Sequence, residues 1–150
     1  MKALIVRKWL LLIALLMAAG GGLILRDRAH RPSHPTVYIL WRTGYSAAMN
    51  EARREHRPVL LDFGASWCAY CHLMDAETYS NPAVARLMKR FTCIRVDADQ
   101  QSALAQRYSV DALPYIVLIN GNGEPKVRLV GYWKPDEFIK QLDEFLVSPS

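Results

Sequence analysis

The sequence predicts an α/β domain preceded by a single membrane-anchoring helix at the N-terminus. From residue 37 onward, apolar strand-like runs alternate with amphipathic helical segments. The stretch Asn-Gly-Asn-Gly at 120–123 lies between two apolar runs and is typical of a β-hairpin turn. Residues 9–25 carry no charged side chain, a length at the lower edge for a membrane span. We therefore expect two parts, a signal-anchor and linker at 1–35 and one folded domain at 36–150.

The N-terminal apolar run favours an uncleaved signal-anchor over a cleaved signal peptide. Three glycines at 20–22 interrupt the run, but it resumes at 23–25. Three basic residues precede it and three follow it, so charge gives little bias in orientation. The short leading segment favours an N-terminus inside the cell, which predicts a single-pass inner-membrane protein whose domain faces the periplasm. A cleaved, soluble periplasmic form is the second choice.

The net charge of +5 does not indicate nucleic-acid binding, because it is confined to the flanks of the apolar run. Residues 1–35 contain six of the 19 basic residues and one of the 14 acidic ones. The remaining 13 basic and 13 acidic residues balance, which gives the domain no net charge to attract a phosphate backbone. We expect no nucleic-acid partner.

The first elements of the domain follow from short-range patterns. Residues 37–41 are β-branched, aromatic and aliphatic and predict a first strand, and residues 46–55 predict an amphipathic helix. The apolar run at 58–61 follows a proline and predicts a buried central strand that ends at Asp62. A helix is expected to begin at Cys68.

The second half of the domain begins with a helix whose expected N-cap is Asn81 and whose first turn contains Pro82. The later elements are a third strand, a short helix, two hairpin strands and a final amphipathic helix, predicted at 91–97, 102–108, 115–119, 126–130 and from Pro135 onward. Strands and helices thus alternate first, and a hairpin and a helix close the domain.

Two of the three cysteines, Cys68 and Cys71, lie where the central strand gives way to a helix. Unpaired backbone N–H groups and the positive end of a helix dipole favour a thiolate at Cys68. Cys71 follows one turn later on the same helix face and can close a disulfide with it. Three cysteines are too few for a disulfide-stapled scaffold, so the pair predicts a reversible dithiol/disulfide centre.

The motif Asp-Phe-x-Ala-x-Trp-Cys-x-x-Cys that starts at Asp62 resembles the active-site signature of the thioredoxin superfamily. The sequence Cys-His-Leu-Met-Asp-Ala-Glu-Thr-Tyr-Ser-Asn-Pro that starts at Cys71 is similar to one branch of it. That branch contains the periplasmic C-terminal domain of the membrane thiol-disulfide interchange reductase. Residues 110–115 resemble the family's cis-proline loop. The likeness spans roughly 37–147 and implies a thioredoxin fold, a mixed central sheet with helices on both faces.

The resemblance also implies three catalytic residues. Cys68 would attack a substrate disulfide, and Cys71 would then attack Cys68 and release the reduced substrate. Asp62 would be the buried acid that accepts the Cys71 proton. At Cys93 the best-known members of the family carry a lysine that pairs with this acid, so the pKa of Asp62 should differ here. We expect Cys93 itself to be a small buried strand residue.

The substrate-binding surface is expected beside the cysteines. By resemblance, Pro114 follows a cis peptide bond, and its loop presents backbone groups to an extended substrate segment. Gly131 matches a family glycine near this groove. The docking surface would be lined by four side chains, those of Trp67, Ala69, Tyr70 and Leu113.

Two non-enzymatic alternatives stay open. The pattern Cys-x-x-Cys-His at 68–72 is also the attachment pattern of c-type haem, with His72 as axial ligand. Haem leaves the signatures at Asp62, Trp67 and Pro114 unexplained, however, and a five-residue pattern is a weak warrant. The other alternative is a thioredoxin-fold adaptor for assembly. We expect no metal site, because a zinc half-site would need a second Cys-x-x-Cys.

The resulting hypothesis is a membrane-tethered periplasmic thiol-disulfide oxidoreductase that mainly reduces protein disulfides. It would need no cofactor beyond the Cys68–Cys71 disulfide. Its partners would be disulfide-bearing protein substrates, a membrane electron-donor protein and, through the N-terminal helix, the membrane. The reductase direction is suggested by Asp62, Trp67 and the hydrophobic residue before Pro114.

Overall fold

The structure, a computed structural model, describes residues 38–147. Five α-helices, four strands and one π-helical segment follow one another in this part of the chain, in nearly the predicted order. Their bounds are α1 Tyr45–Arg54, β1 Val59–Gly64, α2 Ala69–Leu73, the π-helical segment Met74–Tyr79, α3 Pro82–Met88, β2 Thr92–Asp97, α4 Ser102–Arg107, β3 Tyr115–Ile119, β4 Pro125–Val130 and α5 Pro135–Val147.

A four-stranded sheet in the order β2-β1-β3-β4 forms the centre of the described domain. β1 lies parallel to β2 and antiparallel to β3, and β3 and β4 form an antiparallel hairpin. The mixed sheet implied by the resemblance is therefore confirmed. The hairpin turn is held by Asn120, whose Oδ1 accepts hydrogen bonds from the backbone N–H groups of Asn122 and Glu124 at 3.1 and 2.9 Å.

Helices cover both faces of the sheet, so β1 and β3 are buried along their whole apolar length. Residues of α1 and α4 pack on one face against Phe63 and Val117. Residues of the π-helical segment, α3 and α5 pack on the other face against Leu60 and Ile116. Alternate residues of a strand share a face, so Asp62 follows Leu60 into this second, otherwise apolar layer.

The strand predicted at 37–41 is wrong in the described part of that range. Its residues from 38 onward form no strand, and the backbone pairs with β2 through a bridge from Arg42 to Ile94 at the outer edge of the sheet. Ile39 and Trp41 are half-buried against the second face. The apolar run therefore supplies side-chain packing on the domain and not a ladder of backbone hydrogen bonds.

The helix that follows the cysteines widens part of the way along. It is α-helical over Ala69–Leu73 and π-helical over Met74–Tyr79. The π-helical turns bury Met74, Thr78 and Tyr79. π-Helical turns are rare in proteins, and those that occur are often found at functional sites.

The signal-anchor and linker predicted at 1–35 lie outside the described residues, as does the C-terminal tripeptide 148–150. Within residues 38–147, no helix combines the length and the apolarity that crossing a bilayer requires.

Candidate active site

Cys68 and Cys71 form a disulfide at the start of α2. Cys68 is the N-cap of the helix, and its Sγ accepts a hydrogen bond from the backbone N–H of Cys71 at 3.1 Å. Its carbonyl accepts hydrogen bonds from the N–H groups of Cys71 and His72 at 3.1 and 3.2 Å. An ionised sulfur accepts a hydrogen bond more strongly than a neutral one, so this position favours the Cys68 thiolate after reduction.

The two cysteines differ in their surroundings in a way that the sequence did not predict. Cys68, the expected nucleophile, is only 4% exposed, whereas Cys71 is half-buried. Cys71 lies against the end of β1, where a Cβ added to Gly64 would come 3.4 Å from the Cys71 Sγ. Its sulfur therefore faces the strand that carries Asp62.

Asp62 is a buried carboxylate, 5% exposed, within β1. Burial raises the pKa of Asp62 to about 6, and the nearby positive charge of Arg95 opposes this shift. Asp62 lines a cavity of about 230 Å³ together with Cys71 and Pro114. Three of the predicted site residues, from three separate parts of the chain, are thus brought together.

Arg95 supplies the positive charge that the sequence left unassigned. Its Nη2 lies 3.3 Å from the Asp62 Oδ2 and 2.7 Å from the Asp75 Oδ1, and both carboxylates line the same cavity. Neither Arg95 nor Asp75 is among the site residues predicted from the sequence. Arg95 stands two residues beyond Cys93, on the same face of β2, and pairs in register with Asp62. The sequence signal for Arg95 is therefore the two-residue period of the strand: residues 93 and 95 lie on the same face, so Arg95 can supply the cation that is missing at Cys93.

The peptide bond between Leu113 and Pro114 is cis, as predicted. The carbonyl of Pro114 accepts a hydrogen bond from the backbone N–H of Gly131 at 2.8 Å, which ties this loop to the residue that follows β4. Gly131 has a φ of +80°, in the left-handed region that favours glycine. The family glycine thus lies beside the proline loop, and its backbone conformation explains the residue type.

The predicted docking residues surround the disulfide. Trp67 and Tyr70 are 69% and 62% exposed, which is unusual for large aromatic side chains, and Ala69 is also exposed. The Trp67 Nε1 donates a hydrogen bond to the Asp99 Oδ2 at 2.8 Å, which fixes the ring. Trp67 and Leu113 line a common groove of about 300 Å³.

The remaining cysteine and the histidine after the motif have simple surroundings. Cys93 is 2% exposed, its Sγ donates to the Met88 carbonyl at 3.4 Å, and burial raises its pKa to about 12. It is the buried strand residue that we expected. The exposed His72 places its Nε2 2.8 Å from the carbonyl oxygen of Ser66. Among residues 38–147, no group of three or more His, Cys, Asp and Glu side chains is arranged to hold a metal ion.

Known proteins match this chain over the described domain. The model of the family described as "Thioredoxin-like domain" matches residues 45–146. The thiol:disulfide interchange protein DsbD of Neisseria meningitidis serogroup A is 36% identical over 104 residues, which are 65% of this chain and 17% of that protein. A thioredoxin-like protein of Synechocystis, slr0233, is 31% identical over 90 residues, 60% of this chain and 83% of that protein. The chain therefore matches about a sixth of the length of DsbD.

Solved structures agree with the sequence matches. The reduced C-terminal domain of Neisseria meningitidis DsbD superposes with a TM-score of 0.60 at 30% identity, covering 67% of this chain and 92% of that one. A thioredoxin from Thermus thermophilus superposes with a TM-score of 0.66 at 32% identity, covering 73% of this chain and 88% of that one.

Proposed function

The chain belongs to the family of thioredoxin-like domains and carries a thiol-disulfide oxidoreductase domain, and from this premise we propose that it reduces the disulfides of other proteins. One observation carries the proposal: the Cys68–Cys71 disulfide caps α2 beside a buried carboxylate and a cis-proline loop. The cap favours a thiolate, the carboxylate can accept a proton, and the loop borders the site where a substrate would lie.

The reaction begins with the reduced pair. The Cys68 thiolate attacks one sulfur of the substrate disulfide, which forms a mixed disulfide and releases the other substrate sulfur as a thiolate that takes a proton from water. The Cys71 thiol then loses its proton and attacks the Cys68 Sγ. This step closes the Cys68–Cys71 disulfide and expels the second substrate thiol. The substrate gains two electrons from the two cysteines, and each of its sulfur atoms takes up one proton: the first from water, and the second balanced by the proton that leaves Cys71.

Asp62 is the proton acceptor that we propose for the Cys71 thiol. The carboxylate and Cys71 line one cavity, so a proton can pass between them directly or through a water molecule. Its pKa of about 6 means that Asp62 is ionised in most molecules at neutral pH and can still hold a proton briefly. Asp62→Asn should therefore slow the attack of Cys71 and leave the attack of Cys68 unchanged.

Substrate binding is proposed at the surface around the disulfide. Trp67, Ala69 and Tyr70 are exposed beside Cys68 in the sequence, Trp67 and Leu113 line one groove, and Pro114 lines the cavity that contains Cys71. An extended peptide could add its backbone hydrogen bonds along the proline loop while its side chains meet the aromatic rim. This arrangement suits a protein disulfide better than a small charged thiol.

The direction of electron flow and the cellular location extend the proposal. Electrons would come from a membrane donor protein, with residues 1–35 tethering the domain to the inner membrane and the domain facing the periplasm. The uncharged run at 9–25 and the likeness to thiol:disulfide interchange proteins support this placement. A measured reduction potential of about −120 mV, that of a strong oxidant, would contradict the reductase direction.

Trapping of mixed disulfides tests the function directly. In Cys71→Ala, a substrate caught by Cys68 cannot be released, so mass spectrometry of the full-length protein should identify disulfide-linked clients and the electron donor. Cys68→Ala, with Cys71 intact, should trap far fewer partners. Cys93→Ala is the matched control, because burial raises the pKa of Cys93 to about 12 and leaves almost no thiolate at neutral pH. Equal trapping by Cys68→Ala and Cys71→Ala would contradict the assignment of Cys68 as nucleophile.

The haem protein and the assembly adaptor, the two alternatives, predict results different from those of the oxidoreductase. The disulfide uses both sulfur atoms that thioether bonds to haem would need, so we expect a colourless protein with a redox-active pair. A haem absorption band after periplasmic expression would favour the haem alternative. Retention of the cellular function in Cys68→Ser would favour the assembly adaptor.

The tether has its own test. Full-length protein should stay with the membrane fraction after an alkaline carbonate wash, whereas a chain that starts at residue 36 should not. Protease added to intact spheroplasts should digest the domain of the full-length protein. Protection from protease would contradict the periplasmic orientation.

A further inference from the structure

Arg95 lies between two carboxylates that compete for it. Its guanidinium grips Asp75 with two contacts, Nη2 to Oδ1 at 2.7 Å and Nη1 to Oδ2 at 3.4 Å. It reaches Asp62 with one longer contact, Nη2 to Oδ2 at 3.3 Å. Because the same Nη2 serves both carboxylates, a closer approach to one weakens the contact to the other.

The position of the guanidinium is fixed by aromatic rings as well as by charges. Its central carbon lies 4.1 Å from the centre of the Trp41 ring and 5.6 Å from that of Tyr79. The parallel register of β1 and β2 sets the backbone of Arg95 directly beside that of Asp62. The side chain is 35% exposed, whereas that of Asp62 is 7% exposed, so Arg95 connects the buried carboxylate with the surface.

We infer that Arg95 is a positioning residue for thiol-disulfide exchange: it holds the Asp62 carboxylate ready to receive the Cys71 proton, and Asp75 weakens that hold by competing for the same guanidinium. The inference rests on the proposed function, since it gives Arg95 a role in the second step of that reaction. Arg95 acts through Asp62 and does not touch either sulfur among the contacts of the described residues.

The charges that face Asp62 come from three elements. Arg95 and Asp97 belong to β2, and Asp75 and Tyr79 belong to the π-helical segment. Cys71 and His72 of α2 line the cavity with Asp62. Of these groups, the pair that acts most strongly in opposite directions is the one on the guanidinium: Arg95 lowers the pKa of Asp62 and Asp75 raises it. Tyr79 is buried, 7% exposed, and its hydroxyl is near enough to Asp62 to lower the pKa of that carboxyl as well, although it has no partner at hydrogen-bond distance and angle among the described atoms.

Opposite substitutions should therefore have opposite effects. Arg95→Gln removes the positive charge and should make Asp62 lose its proton at higher pH. Asp75→Asn frees the guanidinium to close on Asp62 and should make it lose its proton at lower pH. Arg95→Lys keeps the charge but not the two-pronged grip on Asp75, and it should restore most of the wild-type behaviour.

The experiment uses the full-length reduced protein and Ellman's reagent, followed by stopped flow from pH 4.5 to 8. The first release of the yellow thiol reports the attack of Cys68 on the reagent, and the second reports the attack of Cys71 on the mixed disulfide. At pH 5 we expect the second phase to be roughly tenfold slower in Arg95→Gln and about twofold to threefold faster in Asp75→Asn, since the ionised fraction of an acid changes tenfold per pH unit below its pKa. The first phase should stay within about twofold of wild type.

The controls are Arg90→Gln, an exposed arginine in the turn before β2, and Asp143→Asn, an exposed aspartate on α5. Both should leave the pH profile of the second phase unchanged. A uniform slowing in Arg95→Gln at every pH, with no displacement of the profile, would mean a purely structural role and would overturn the inference. Displacement of both profiles in the same direction would also overturn it. If Arg95→Gln does not fold, Asp75→Asn still decides the sign, because its profile should move to lower pH and a profile that stays in place or moves to higher pH would overturn the inference.

The two phases keep the inference apart from the proposed function. Loss of the first phase in the wild-type protein would overturn the proposed function itself. A normal first phase with a second phase that ignores Arg95 and Asp75 would overturn only the positioning role.

Discussion

Asp62 is a single carboxylate whose burial costs stability and whose proposed role is to accept the Cys71 proton. Its pKa rises from 3.8 to about 6 because burial disfavours the charged form. Between these two values the folded protein keeps the proton that the unfolded chain has lost. Raising the pH through this window therefore lowers the free energy of unfolding, and the loss is complete above about pH 6.

Asp62→Asn should remove this loss. We expect the variant to match wild type near pH 4 and to exceed it above pH 7 by up to about 3 kcal/mol, the free energy equivalent of the pKa change. Urea denaturation of the oxidised protein between pH 4 and 8 measures the difference. Asp143→Asn, at an exposed position, should show a curve parallel to wild type. Parallel curves for Asp62→Asn and wild type would contradict the raised pKa.

Gly131 is a residue whose backbone, and not its surroundings, sets its identity. Its φ is +80°, and a Cβ added there would meet nothing within 4 Å. Gly131→Ala should therefore cost about 1 kcal/mol of folding stability through backbone strain alone. Gly44→Ala is the matched control, because Gly44 has a φ of −86° and its Cβ would only touch that of Ala47 at 3.9 Å. Equal unfolding midpoints for the two variants would be inconsistent with strain at Gly131.

The start of α3 is an element boundary that the sequence predicted correctly. The Asn81 Oδ1 accepts hydrogen bonds from the N–H groups of Ala83 and Val84 at 2.8 and 3.4 Å, and Pro82 occupies the first turn. Asn81→Ala leaves both donors without this partner and should cost about 1 kcal/mol. Urea unfolding measures the loss against Asn122→Ala, whose side chain is exposed in the hairpin turn. A variant at Asn81 as stable as wild type would show that water replaces the cap at no cost.

Elements that depend on local signals were predictable, and contacts between elements were not. The run at 58–61 and the Asn-Gly turn near Asn120 carry their own signals, so β1 and the hairpin appear where they were expected. The residues around Trp41 form a similar continuous apolar run but pair with β2 at Arg42 alone, because pairing also requires a partner edge in register. Local pattern cannot supply that information.

The same limit explains which site residues were found. Cys68, Cys71 and Pro114 belong to motifs that are contiguous in sequence. Arg95 acquires its role only through the register of β1 and β2, and Asp75 only through its position on the π-helical segment. The two-residue period of β2 puts Arg95 on the same face as Cys93, but only the register of β1 and β2 shows that Arg95, and not Cys93, pairs with Asp62.

For the molecule as a whole, the number of thiols that react in the native and in the unfolded protein tests the packing of the core. Cys93 is 2% exposed in the second layer of the core and has a pKa of about 12, so it carries almost no thiolate at neutral pH. The native oxidised protein should therefore give no fast reaction with Ellman's reagent, and one thiol should appear on unfolding in urea. After reduction we expect two thiols to react in the native state. Fast labelling of Cys93 in the folded protein, detected by peptide mass spectrometry, would contradict the packing of this layer.

Trp41 packs on the Arg95 guanidinium from outside the residues that the family model matches. The family match begins at residue 45, yet the indole ring four positions earlier covers the guanidinium that serves Asp62. A domain trimmed to the conventional boundary would keep both cysteines and lose this shield. More water would then reach the Arg95 guanidinium, which is already 35% exposed, and the pKa of Asp62 in the shortened protein would differ from that in the intact chain.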